Sequence, residues 1–554
     1  MISRPLQSRC VRAAALLLAT LPFSAHAWAP TATKAIVPLN LTSLGPVAAS
    51  TPVHVTVSLS LRNRDQLLPY IDAISSPGNP LYNTRLTGSQ FVASYAPTVA
   101  QAQAVATYLS SQGFSNIAIA PNRSLIEATG TASAVQSAFN TTLLSYRVGD
   151  RLAFANGSDA QVPDALGGIV LAVLGLQTLE PYHTHAVPAA KSLLGYSPWA
   201  FQEAYHVGSL PWAAGIRIAI FTEGDMNPVI ADLRRYESHF GLPAVPIAVI
   251  PGHGSSDTSI TEEWDLDTQV STGIAHNVAQ LRLYAADSMF DADQIPSFNR
   301  FVAENAARAG SASFGLCEAF SSQAGAAATE DNIFLQAVAQ GQTIFSITGD
   351  VGSACPIPIA LPAAVHTNGH PLLGVPLMVE RPSASPYVVS VGGTTLLVDA
   401  NYDRSQEIAW YAGGGGVSLF EPSPSWQKGL VAPLAAAGRG VPDIAMDGDP
   451  NTGAIIFYNG AEIDGVGGTS LSGPLALGAW ARILQAHGGA LGFAAPIFYG
   501  LHPRTALPAT PTVDITGFHD ILAGCNGFYC ATPKWDYVTG LGTPDIETLS
   551  HLIH

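Results

Sequence analysis

Ser470 lies in Gly467-Gly468-Thr469-Ser470-Leu471-Ser472-Gly473-Pro474, directly ahead of the helix-forming stretch Leu475 to Leu484. Small residues on its N-terminal side let backbone amides and a hydroxyl converge on one point, as an acyl-transfer nucleophile requires. A serine at a helix start is also an ordinary N-cap, so the hydroxyl needs a base before it implies chemistry. Glu263-Trp264-Asp265-Leu266-Asp267 offers one. On a helix Glu263 and Asp267, spaced i, i+4, share a face while Asp265 points elsewhere. Like charges at this spacing are unfavourable on an isolated helix, and an acidic run by itself reads as a solvated face. An imidazole base, with a reference pKa of about 6.5, would be largely protonated in acid, whereas a carboxylate remains a base there.

Elements of two kinds are available to position these groups. At 554 residues the chain is long for one domain, and 47% hydrophobic against 12% charged residues, with 52 Gly and 40 Pro, suits loop-rich globular units rather than disorder. Alternation of Val55, Val57, Leu59 and Leu61 with polar neighbours predicts a strand with one buried face. Helices are expected near Arg64 to Ile74, Thr98 to Gln112 and Ala132 to Phe139, with strands at Asn116 to Pro121, Leu125 to Thr129 and Thr142 to Val148. That order suggests an α+β ferredoxin-like sandwich ending by about residue 180. Pro181 to Ala190, with Tyr182, His183 and His185, shows no periodicity and reads as an exposed, proteolysis-prone connector. From Gly215 onward, apolar strands at Ile216 to Phe221, Ala279 to Tyr284 and Thr343 to Ile347 alternate with helices such as Ile230 to Phe240, the pattern of a parallel α/β sheet. Catalytic groups collect at the carboxyl ends of such strands.

The formal charge of −16 argues against a nucleic-acid partner, which needs a cationic face. Arg4, Arg9 and Arg12, the apolar run Ala13 to Leu21 and then Ala25-His26-Ala27 make a secretory signal over residues 1–27. The expected location is extracellular, with the periplasm as the alternative. The apolar run is too short to span a bilayer and Ile169 to Leu176 is shorter still, so no membrane partner is expected after signal removal. Cys10 leaves with the signal, and the remaining four cysteines allow three pairings. Cys525 and Cys530 are close enough to staple one loop, leaving Cys317 with Cys355 as the complementary pair.

Several separate phrases together resemble the sedolisin family of serine-carboxyl peptidases over nearly the whole chain. Glu263 to Asp267 is similar to its Glu-x-x-x-Asp helix, Thr348-Gly349-Asp350-Val351-Gly352 to its Ser-Gly-Asp-x-Gly segment, and Gly468-Thr469-Ser470 to its nucleophile turn. Ser385-Pro386-Tyr387-Val388, Val391-Gly392-Gly393-Thr394, Gly414-Gly415-Gly416, Pro424-Ser425-Trp426-Gln427 and Pro442-Asp443 add to the match. The resemblance implies a subtilisin-like parallel-sheet catalytic domain over 191–554, preceded by an activation domain over 28–190 that chaperones folding, blocks the cleft and is removed by self-cleavage near residues 181 to 198. It implies that Ser470 is the nucleophile, Glu263 its base, Asp267 the group that orients and tunes Glu263, and Asp350 an oxyanion partner that works only while protonated. Protein or peptide substrates and a monomeric enzyme follow, with internal cleavage or removal of terminal tripeptides as alternatives.

The C-terminal Phe518 to Gly524 and Lys534 to Gly542 resemble the family's calcium loop. The resemblance implies one Ca²⁺ held by carboxylates of Asp520 and Asp536 and backbone carbonyls of Ile521, Thr532 and Lys534. Family members commonly carry glycine where this chain has Thr532 and Lys534. Ser313-Phe314-Gly315 and Gly413 to Gly416 could each pair with an extended peptide or serve packing. Phe314 stands where many members have Trp, so an indole's polar contact is absent. A subtilisin with a Ser-His-Asp triad is the nearest rival, but no His-Gly-Thr-His or Asp-Ser/Thr-Gly element is found, and His253 in Gly252-His253-Gly254 reads as a surface-loop residue. A calcium-binding or adhesion protein on an inactive peptidase scaffold is the rival of another class.

Overall fold

A computed structural model describes residues 27–188, 195–355, 359–360, 376–430, 438–502 and 513–554. Residues 1–26 of the expected signal and the expected domain boundary at 190 lie outside the described residues.

Four antiparallel strands form the N-terminal sheet in the order Ser115–Ile119, Leu125–Thr131, Pro52–Leu59, Val170–Leu174. With helices Val99–Ser111 and Ala132–Ala138 this is the ferredoxin-like arrangement read from the sequence. Two expectations change. Leu143–Val148 leaves this sheet and pairs instead with Arg151–Asn156 and Gly45–Pro46, while Val170–Leu174, within a run noted only as too short for a membrane, supplies the fourth strand. Pro52–Leu59 is also buried on both faces rather than one. Val53, Val55, Val57 and Leu59 pack into the domain's own core, whereas Thr56 and Ser58 are covered by the second domain. Thr56 Oγ1 donates to the carbonyl of Ala292 at 2.8 Å, and Asn122 Nδ2 donates to Asn299 Oδ1 at 2.7 Å and Gln336 Oε1 at 2.9 Å. A polar face buried this way adds directional bonds to a shared apolar core, in which Leu67, Ile71, Ile74 and Phe91 of the first unit pack with the second.

The second domain is built on an eight-stranded sheet. Ile247–Pro251, Gln280–Ala286, Arg217–Glu223, Ala309–Ala312, Thr343–Ile347 and Val389–Val398 run parallel in that spatial order, Ile444–Asp447 joins the last of them in parallel, and Arg404–Ala409 closes the edge antiparallel. The expected strands at 216–221, 279–284 and 343–347 all fall in it. Two buried helices cross the site side: Thr261–Ala275, carrying the acidic run, and Thr469–Ala486, carrying Ser470. Gly478 lets them approach, since a Cβ there would run into the Ile274 side chain and the Ser271 carbonyl. The spacing between nucleophile and base therefore depends on a missing side chain two turns away. Disulfides join Cys317 to Cys355 and Cys525 to Cys530, the pairing inferred from sequence.

Candidate active site

The acidic run is not a solvated face. Glu263 is 2% exposed, and Asp265 and Asp267 are fully buried. Asp267 Oδ1 accepts from Ser313 Oγ at 2.5 Å, while Asp265 turns to Gln269 Nε2 at 3.4 Å. Burial, together with the charge of Glu263, pushes Asp267 far above the usual carboxylate range. Burial also raises Glu263, opposed by the nearby Ser470 hydroxyl and by hydrogen bonds from the amides of Ala186 and His185. Two buried carboxylates this strongly coupled hold a proton as a pair.

Ser470 is the second residue of its helix, which Thr469 begins just after Gly468, whose φ of +95° is a conformation that only glycine adopts readily. Its Oγ lies 3.4 Å from the carbonyl oxygen of Ser313 and near Glu263. Asp350 follows the strand Thr343–Ile347 and faces the same turn. Its Oδ1 accepts from both the backbone amide and the hydroxyl of Thr469, at 2.8 and 2.7 Å, whereas Oδ2 is buried without a hydrogen-bond partner. Burial raises Asp350 to about 6 against the lowering effect of His185 and Thr469. When it is neutral the proton belongs on Oδ2, because Oδ1 is already an acceptor twice over. Ser470, Asp350 and the Glu263–Asp267 pair, far from one another in sequence, thus meet at the carboxyl ends of the parallel strands.

The connector departs from expectation. It is only partly exposed: His183, Val187 and Pro188 face solvent, but Tyr182 is buried and its hydroxyl donates to Glu330 Oε1 at 2.5 Å. His183–Thr184 pairs antiparallel with Gly315 and Phe314, and Val187–Pro188 with Gly467 and Val466. Between them the amides of His185 and Ala186 donate to Glu263 Oε2 at 2.9 and 2.7 Å. Ser313-Phe314-Gly315 therefore does receive an extended strand. Gly413 to Gly415 does not: a Cβ on Gly414 would strike the Thr348 carbonyl and one on Gly415 the Tyr537 carbonyl, so these residues are packed beneath the Asp350 loop, while Gly416 opens the strand Gly416–Pro422 and pairs with Val441 of this chain. His253 is exposed and paired with Asp287, away from Ser470, as a loop residue would be.

Glu380 and His185 are site residues that pattern reading missed. His185 Nε2 approaches Glu380 Oε2 at 3.2 Å, and although burial opposes its charge, Glu380, Asp350 and Glu263 raise it to about 9. Glu380 carries no motif; the only signal was the pair of glycines at 315 and 349 that make room for its carboxylate.

In the C-terminal loop Asp520 Oδ2 accepts from the Lys534 amide at 2.8 Å and Asp536 Oδ2 from the Thr532 amide at 3.0 Å. Burial, with the charge of Asp536, raises Asp520 to about 6 against the lowering effect of the Lys534 amide. No backbone amide among the described residues donates to the carbonyls of Ile521, Thr532 or Lys534. This oxygen-rich set fits a hard cation. Among the described residues no group of three or more His, Cys, Asp or Glu side chains is placed to hold a metal, so carbonyls would have to complete the shell. Lys534 adopts a φ of +74°, so the departure from glycine falls on a left-handed position; Thr532 does not share it.

Residues 40–179 match the family model of the pro-kumamolisin activation domain. Sedolisin of Pseudomonas sp. (strain 101) is 38% identical, the alignment covering 95% of this chain and 92% of that protein. Xanthomonalisin of Xanthomonas sp. (strain T-22) is 36% identical over 91% of this chain and 65% of its own length. The solved structure of Pseudomonas sedolisin, a serine-carboxyl proteinase complexed with two molecules of pseudo-iodotyrostatin, superposes with a TM-score of 0.58 at 34% identity, covering 66% of this chain and 99% of that one. With its activation domain, its subtilisin-like sheet and these relatives, the chain belongs to the sedolisin family and is a serine-carboxyl peptidase, made as a zymogen that hydrolyses peptide bonds.

Proposed function

We propose that this protein is a secreted, acid-active endopeptidase that forms an acyl-enzyme on Ser470, with Glu263 as base, Asp267 as its tuning partner and Asp350 in the oxyanion hole. The observation that carries the reading is Glu263 itself: one buried carboxylate lies beside the Ser470 hydroxyl and also takes the amide of Ala186 at 2.7 Å. A group so placed takes the proton from the attacking oxygen and returns it to the departing nitrogen. Asp267, held by Ser313, favours one proton over none on the pair and so keeps Glu263 available for both transfers. Below about 6 Asp350 is neutral and can donate from Oδ2 to a developing oxyanion; above it, the ionised group repels that charge. Secretion is supported by the N-terminal charged and apolar segment and suits the two disulfides. Residues 28–190 act as folding aid and inhibitor, residues 191–554 as a monomeric peptidase.

Digesting a mixture of peptides of varied length at pH about 4 tests the mode of action, given carboxylates that work in acid. Internal cuts independent of distance from the N-terminus are expected; release of tripeptides alone would reassign the enzyme as a tripeptidyl-peptidase.

One Ca²⁺ in the C-terminal loop, on Asp520, Asp536 and the carbonyls of Ile521, Thr532 and Lys534, would tie this segment to the sheet edge; Ala409 already donates its amide to Ala523 there at 2.8 Å. Chelation is expected to lower the melting temperature, since an ion at a hundred times its Kd stabilises by about 2.7 kcal/mol. A melting temperature that chelator leaves unchanged would refute the site.

A further inference from the structure

Upstream of the catalytic groups the chain runs extended between two walls. On one side His183–Thr184 pairs antiparallel with Gly315 and Phe314; on the other the Tyr182 amide donates to the carbonyl of Met289 at 2.8 Å. These are backbone contacts, so an extended peptide lying in the same groove makes them whatever its sequence. Side chains are treated less evenly. Of residues 180–184, Tyr182 alone is buried, whereas its neighbour His183 is exposed. Selection by side chain along this stretch therefore falls on the residue directly ahead of the one opposite Gly315.

The pocket that takes this residue is furnished for a phenol. Phe314, from the pairing strand itself, meets the Tyr182 ring edge-on, with centroids 5.3 Å apart. At the far end the hydroxyl donates to Glu330 Oε1 at 2.5 Å. Glu330, on the helix Ala326–Ala339, is fully buried, and its other oxygen accepts from Arg381 Nε at 3.0 Å. Arg381 is fixed in turn. Its Nη2 donates to Asp331 Oδ1 at 2.7 Å and its Nη1 to Glu421 Oε1 at 2.9 Å, and its strand Glu380–Arg381 pairs with Leu316 and Cys317, on the ribbon that receives the connector. One carboxylate oxygen is thus held by a buried cation while the other points at the phenol. Burial and the charge of Glu330 hold that phenol well above its ordinary value of 10, so it remains a donor in acid and at neutrality.

We propose that the space filled by Tyr182 is, in the active enzyme, a subsite for a tyrosine of the substrate, at the position directly ahead of the residue that pairs with Gly315, with Phe314 as its wall and Glu330 as the acceptor that determines specificity. The proposal rests on the catalytic reading given above, because it takes the groove beside Ser470 for the path of substrate. An apolar pocket alone would accept phenylalanine or leucine as readily. The carboxylate makes the difference: a ring without a hydroxyl leaves a buried acceptor short of its donor. Arg381 holds Glu330 in place, so the carboxylate does not swing away to find another partner.

The test gives the full-length protein, activated in acid, peptides that copy residues 180–188 and differ only in Tyr, Phe or Leu at the place of Tyr182, and compares kcat/KM. Tyr is expected to exceed Phe by about tenfold or more, as a hydrogen bond to a buried charged acceptor allows. Glu330→Met should bring that ratio toward one while leaving Phe ahead of Leu, whose side chain lacks the ring that meets Phe314. Equal rates for Tyr and Phe in the wild type, with cleavage that Ser470→Ala abolishes, overturn the subsite and keep the catalytic reading. Cleavage that persists in Ser470→Ala overturns that reading instead. An undiminished ratio in Glu330→Met takes the selection away from Glu330. Should that variant fail to fold, O-methyltyrosine at the same place gives the answer on the wild type: it cannot donate, so it is expected to fall to the rate of Phe or below, and a rate equal to that of Tyr refutes the bond.

Discussion

Replacing Ser470 with alanine is expected to leave the zymogen as a single uncut chain in acid and to abolish digestion of denatured protein. Removing the nucleophile of a serine peptidase costs on the order of 10⁶-fold in kcat. The fold should tolerate the change. The hydroxyl is fully buried, and its hydrogen bond to the Ser313 carbonyl, at 3.4 Å, is long, so losing it costs about 1 kcal/mol or less. The helix is already started by Gly468 and the Thr469–Asp350 pair, neither of which needs Ser470. An uncut chain with a near-wild-type melting temperature would therefore report chemistry rather than misfolding. Maturation and digestion at the wild-type rate would remove Ser470 from the mechanism.

The groups legible in the sequence were those whose chemistry and local spacing travel together. Glu263 and Asp267 are four residues apart on one helix, and Ser470 follows glycines that only a tight turn requires; both could be read without tertiary information. Burial of the acidic run could not, because a helix hidden on every side carries no periodicity to announce it, and only the match to a distant serine gave it meaning. The ferredoxin-like order was readable from alternation, but assignment of its last strand failed. Leu143–Val148 and Val170–Leu174 look alike locally, and which one joins Pro52–Leu59 is decided by long-range pairing. The same limit hid the polar edge of that strand: Thr56 and Ser58 read as solvent-facing until a second domain covers them. The connector misled for a related reason. A substrate-like strand makes its bonds with other segments, so His183 to Pro188 has no pattern of its own, and Glu380 emerges only once Gly315, Gly349 and His185 surround it.

Asp350 separates the proposed chemistry from a generic serine-peptidase site, and two substitutions there should diverge. Asp350→Ala removes the donor that Oδ2 supplies and is expected to lower kcat by about 10²- to 10³-fold in acid, the usual cost of one oxyanion-hole donor. Asp350→Asn keeps the shape. The amide oxygen can still accept from Thr469 N and Oγ1, and the NH₂ group takes the place of the protonated Oδ2. It donates at every pH. In the wild type the donor exists only while the carboxyl is neutral, and burial puts that transition at about 6, so activity should fall as pH rises through this value. The acid side is governed instead by the Glu263–Asp267 pair, which must hold one proton rather than two for the base to act; neither substitution removes it. The Asn variant should therefore retain an acid limb while its alkaline limb moves upward, and the Ala variant should be slow throughout. The measurement is kcat from pH 3 to pH 8 on one peptide, spanning the ordinary carboxylate range and the shifted value of about 6. An Asn variant whose alkaline limb stays near the wild-type position would assign that limb to another group, and an Ala variant at full rate would take Asp350 out of the oxyanion hole.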